Sequence, residues 1–227
     1  MAMTSHPIHC SRVRPSTPQG FSLIELLLAL SLGISLSGMI LQLLISESSL
    51  GLRVNRLLRE RSVQQRTLSL IRDDVQRSSR ISATPQLEQH ACNLAGRLPV
   101  LHLTTAAGTI TYSIGAAPSA IWRGQVLMRC GPAFDLAGQP AGAGTAQNRV
   151  VIDGLAGNPE PWEGCSGRLQ SSSPPQDLAR SSSKAFSACL DDNRNNAILT
   201  MRVMQELTDA KGAKQHIGSE TQISSAA

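Results

Sequence analysis

The chain has 227 residues, 41% of them apolar, and 21 Lys and Arg against 16 Asp and Glu give a net charge of +5. Three Phe, two Trp and one Tyr are too few to build the aromatic stacking platform of a single-strand nucleic-acid binder. An apolar share this high without a three-residue period also excludes a collagen-like or wholly disordered chain. The length accommodates one ordinary domain with an extension, or two small domains.

The first predicted element is an apolar helix. Leu26 to Ile45 are 20 consecutive residues without a charge, and as a helix they reach about 30 Å, the thickness of the bilayer hydrocarbon. A secretory signal core is shorter, about 7–15 residues, and ends at a small-residue cut that is missing here. Ahead of the run stand Gly20-Phe21-Ser22-Leu23-Ile24-Glu25. A carboxylate in an apolar span costs about 2.5–3.5 kcal/mol at mid-helix, so Glu25 requires a partner. Gly33 and Gly38, with Ser31, Ser35 and Ser37, would let another backbone approach closely.

Gly20-Phe21-Ser22-Leu23-Ile24-Glu25-Leu26-Leu27 resembles the type IV prepilin signature, shared with type II secretion pseudopilins. The resemblance implies cleavage between Gly20 and Phe21 by a prepilin peptidase, and N-methylation of Phe21. Glu25 would pair with the amino-terminal charge of Phe21 on a neighbouring subunit. Two opposite charges in a dry filament core stabilise each other only when register places them side by side. The implied life history is a single-pass inner-membrane protein with its head in the periplasm, later drawn into a pilus or pseudopilus. Its implied partners are the peptidase, other pilin or pseudopilin subunits, and an inner-membrane assembly platform. The leader carries Arg12 and Arg14 but no acid, as suits the cytoplasmic side. Arg53, Arg56, Arg59 and Arg61 outnumber them beyond the run, so the positive-inside rule alone orients the helix the other way. The motif and the cysteines outweigh that count.

No proline occurs between Phe21 and Thr84, and Leu50, Val54, Leu57, Leu68, Ile71 and Val75 follow a 4-3 spacing, with Arg61 and Gln64 at the vacant places. One helix from about Ser22 to Ile81 is expected, its later arginines on the wet face. From there the period changes. Leu98–Thr104, Thr109–Ile114, Ala120–Arg123, Gln125–Cys130, Arg149–Asp153 and Ala197–Met204 read as strands of an antiparallel sheet. Thr109–Ile114, a turn at Gly115–Ser119 and Ala120–Arg123 form a predicted hairpin. This hairpin, and Arg72–Gln76 on the helix, loosely resemble PilW-like minor pilins and J-type pseudopilins. Pro132–Gln147 and Gly154–Lys184, with their Gly, Pro and Ser clusters, read as surface loops.

The expected organisation is a cleaved leader (1–20), a membrane or filament-core helix (21–45), its amphipathic continuation (46–82), an antiparallel β head (83–208) and a flexible tail (209–227). The fold class is α+β and pilin-like. Cys10 lies in the leader, leaving Cys92, Cys130, Cys165 and Cys189. Four widely spaced cysteines in an exported region suggest two disulfides. Three pairings are open; sequence-local bridges would be Cys92–Cys130 and Cys165–Cys189.

No C-x-x-C pair occurs, and His90, His102 and His216 lack zinc-ligand spacing, so no metal is expected. Asp191–Asn196 begins like a calcium loop but lacks glycine at its sixth place and has Arg202 where the terminal glutamate belongs. A polar turn before Ala197 explains it. No nucleophile elbow, zinc-protease motif or phosphate loop is present, and Asp73 and Asp74 are adjacent on a helix, so their side chains diverge. Neither an enzyme nor a cofactor is expected. A DNA-uptake or adhesin-type pilin, and a plain membrane-anchored periplasmic protein, are the competing readings.

Overall fold

A computed structural model describes residues 20, 22–136, 138–141, 146–165, 175–193, 196–209 and 212–226. Residues 1–19, Phe21 and the Ser171-Ser172-Ser173-Pro174 run lie outside the described residues. The chain divides into two compact units, Met1–Asn55 and Arg56–Ala227, and a helix, α1 (Leu23–Gln76), contributes residues to both. It spans 54 residues, uninterrupted by proline. In the first unit, Leu23–Leu43 has a mean hydropathy of 2.1 and is long and apolar enough to cross a membrane.

The second unit is α+β. Its strands are β1 (Ser78–Ile81), β2 (Leu98–Thr105), β3 (Gly108–Ala116), β4 (Gln125–Pro132), β5 (Ala146–Leu155), β6 (Gln176–Asp177), β7 (Phe186–Asn193), β8 (Asn196–Thr208) and β9 (Lys214–Ala226). They form one sheet in the order β1-β2-β3-β4-β5-β8-β7-β6, with β9 paired to β8 along its whole length. Every pairing is antiparallel. The sheet curls, so that β2 also comes against β7.

Strand alternation assigns the faces. Leu101 and Leu103 pair with Tyr112 and Ile110, and Phe186, Ala188 and Leu190 pair with Val203, Met201 and Leu199. These buried side chains form the inner face, and Leu68, Ile71 and Val75 of α1 join the same core. The opposite face carries His102 against Thr111 and Cys189 against Thr200. Two disulfides fasten connecting segments to it. Cys92–Cys130 holds the β1–β2 connection over β3 and β4, and Cys165–Cys189 holds the β5–β6 connection over β7. These are the two sequence-local bridges.

The structure departs from the sequence reading in several places, among them Phe186–Asn193, not expected as a strand, which is β7, and Gln176–Asp177 within the expected loop 154–184, which is β6. The helix stops at Gln76 instead of Ile81, because Ser78 Oγ turns back to the Val75 carbonyl at 2.7 Å and Ser78–Ile81 pairs with β2 as a strand. Ala120–Arg123 is a turn, and the partner of β3 is β4. Gly124, at φ +56°, makes the left-handed step that starts β4, and Arg123 N–H is drawn to Asp153 at 3.0 Å. The segment from Asp209 is no flexible tail, since Lys214–Ala226 is the full-length partner of β8. On α1 the buried positions include Glu60, Gln64, Thr67 and Asp74, while Arg61 is exposed. The side chain of Leu50 lies outside the described residues.

Candidate functional site

The amino-terminal motif occupies the start of α1. Gly20 and Ser22 are exposed and precede the helix, and the Ser22 carbonyl accepts from Glu25 and Leu26 N–H at 3.0 and 3.2 Å. Glu25 therefore sits in the first turn, where the helix dipole favours a negative charge. It is exposed, and among the described residues it has no ion-pair partner. The large apolar residues from Leu23 to Leu43 are 53–77% exposed, so the described residues offer no cover for the span. Ser31 and Ser35 hydroxyls donate to the Leu28 and Ser31 carbonyls at 2.9 Å, which satisfies them within the helix as an apolar surrounding requires. A Cβ added at Gly33 or Gly38 would meet nothing, leaving two open notches.

In the second unit, side chains on α1 meet the sheet through several polar ties, of which three centre on the buried Asp74, Glu60 and Gln64. Arg56 and Arg72 reach the Thr208 carbonyl and the Thr221 hydroxyl at 3.1 and 2.7 Å. Asp74 is 1% exposed and faces Arg129 of β4, whose Nε and Nη2 donate to its two oxygens at 2.6 and 3.2 Å. Tyr112, the register partner of Arg129 on β3, donates to the same carboxylate at 2.5 Å. Burial, with the Asp74 charge beside it, pushes the Tyr112 phenol well above its ordinary range. Burial opposes the charge of Arg129, but hydrogen bonding to Asp74, the Asp74 charge and Tyr112 together outweigh it and raise the guanidinium pKa. Arg129 Nη1 also donates to the Pro132 carbonyl at 3.0 Å, and its guanidinium lies 4.7 Å from the Phe134 ring centre.

Earlier along α1, Glu60 meets Arg123 at 3.2 Å, and Arg123 also reaches Asp153 at 3.4 Å. The third tie is neutral. Gln64 donates to the Ile217 carbonyl of β9 at 2.9 Å and accepts from the Ser219 hydroxyl at 2.6 Å. Asp73 is exposed while Asp74 is buried, so the adjacent acids diverge as expected.

On the outer face, the Thr111 hydroxyl lies 2.8 Å from His102 Nδ1 and 3.1 Å from His90 Nδ1, and the two rings meet edge-on at 5.7 Å. Burial holds both imidazoles below their ordinary pKa, partly opposed by Glu88. Glu88 accepts from Ser82 at 2.6 Å, which lowers its own pKa. At the other staple, Arg202 lies over Trp162 at 5.8 Å and donates to the Glu160 carbonyl at 2.8 Å, with burial lowering its pKa. No group of three or more His, Cys, Asp or Glu able to hold a metal occurs among the described residues. Asp191 and Asn193 belong to β7, where Asn193 pairs with Asn196 of β8; Arg194 and Asn195 lie outside the described residues.

Sequence reasoning placed Gly20 and Glu25 at the helix start but missed Glu60, Arg129 and the burial of Asp74. Glu60 and Asp74 are polar residues on the buried side of α1, which apolar periodicity discards, and Arg129 on β4 is linked to Asp74 by no local spacing. No family model matches the chain, and no curated protein and no solved structure matches it.

Proposed function

We propose that the chain is a minor type IV pilin or pseudopilin subunit, made as a prepilin and processed between Gly20 and Phe21. The observation that supports this most is the apolar span Leu23–Leu43, uncovered by the described residues and carrying one carboxylate, Glu25, that has no ion-pair partner among them, directly behind Gly20-Phe21. A plain anchor needs only the apolar length. A carboxylate in its first turn is useful where a neighbour brings a positive charge, and a cleaved, N-methylated Phe21 would supply one.

In this reading the α+β unit is the exported head, and its two disulfides suit an oxidising compartment. The chain acts as a structural or priming subunit and is itself a peptidase substrate. Gly20→Ala is expected to block cleavage, leaving a protein larger by its leader on a gel when peptidase is coexpressed. Equal trimming of wild type and variant would contradict the processing site. Glu25→Ala is expected to be cleaved normally yet to support less pilus or secretion output.

A further inference from the structure

Strand β5 has an unusual position. It pairs with β4 along its length, but on its other side it meets β8 only at Leu155–Gln205. Over 146–153 that second edge has no strand partner among the described residues. Such an edge presents unpaired backbone donors and acceptors, which is a template for another strand.

Beside this edge lies a groove of about 480 Å³, walled on one side by Val63, Arg66 and Leu70 of α1 and on the other by Gln147, Arg149 and Val151 of β5. Its volume falls within the range of ligand clefts, about 300–1,000 Å³. Three guanidinium groups border it, and only Arg129 is committed, to Asp74. Arg66 and Arg149 are exposed and have no ion-pair partner among the described residues. Gln147 Oε1 is buried without a hydrogen-bond partner, so the groove also contains an acceptor in need of a donor. A small anion would satisfy the arginines but leave the strand edge bare.

We infer that the β5 edge accepts an extended, acidic peptide segment of a partner polypeptide. The segment adds a strand to β5 through main-chain hydrogen bonds, and its carboxylates meet Arg66 and Arg149. The inference uses residues of the second unit alone, so an unprocessed amino terminus would leave it untouched.

The test uses the full chain in detergent micelles with three fluorescein-labelled heptapeptides: alternating Glu-Val, alternating Lys-Val, and alternating Glu-Pro, whose prolines remove every second N–H and disfavour strand pairing. Fluorescence anisotropy should show binding of the Glu-Val peptide, with the other two weaker by about tenfold or more. The double variant Arg66→Gln/Arg149→Gln, altered only at exposed side chains, should lose the same factor. Hydrogen exchange should show slowed β5 amides in the bound protein. Equal binding of the Glu and Lys peptides, no binding at all, unchanged affinity of the double variant, or protection outside β5 would each overturn the inference. Concentration-dependent protection of β5 without any peptide would overturn it in favour of a second copy of the chain.

Discussion

The two parts of α1 treat their carboxylates in opposite ways. Between Arg56 and Gln76 the helix buries Glu60 and Asp74, and each meets an arginine delivered by the sheet, Arg123 or Arg129. Between Leu23 and Leu43 it carries Glu25 with no partner among the described residues and apolar side chains open on every side. A helix that is apolar all round belongs in a large core or a membrane. The second part is thus satisfied within its own chain, whereas for the first the described residues supply neither cover nor a counter-charge. That difference leads the proposed function to subunit assembly instead of chemistry within one molecule.

The contrast can be broken experimentally. Asp74→Ala leaves Arg129 buried without its counter-charge and should destabilise the second unit by about 3–5 kcal/mol in urea unfolding. A change below about 1 kcal/mol would show that the tie is dispensable. Replacing Cys92 and Cys130 by serine opens a bridge of sequence separation 38, and replacing Cys165 and Cys189 opens one of 24. The chain-entropy relation gives losses of about 4 and 3.5 kcal/mol respectively, read from the same unfolding curves. Glu60→Gln should cost only about 1 kcal/mol, because Arg123 is half exposed and keeps Asp153.

The pH response has a defined sign. His90 and His102 are held below the ordinary imidazole value of about 6.5. Between that value and their folded values the unfolded chain binds more protons than the folded one, so stability falls as pH drops below about 6.5. Thermal unfolding of His102→Gln should show a flatter slope there than wild type. Glu88 adds a separate loss at lower pH, below its ordinary carboxyl value, because its folded pKa is depressed. Glu25→Gln should leave the unfolding curve unchanged, while assembly suffers. A loss of head stability in that variant would erase the distinction between the two parts of α1.

Much of the sheet was legible as period-two runs. Thr109–Ile114, Gln125–Cys130 and Ala197–Met204 fall inside β3, β4 and β8. β9 was not, because Ser219 and Thr221 sit between Ile217 and Ile223 on its inner face, and their hydroxyls serve Gln64 and Arg72 of the helix. That face is buried by hydrogen bonding as much as by apolar contact, so its pattern reads as polar. The acids on α1 escaped for a related reason. Glu60 and its arginine are 63 residues apart, and Asp74 and its arginine 55, so no local pattern announces either pair. The amino-terminal motif was readable because its chemistry is local: glycine, aromatic, glutamate and apolar run stand together.

Mass spectrometry of the mature amino terminus, on protein expressed with a prepilin peptidase, tests the central claim most directly. The account predicts a chain that begins at N-methylated Phe21. A chain that retains Met1 and the leader, or one cut anywhere other than between Gly20 and Phe21, would contradict it.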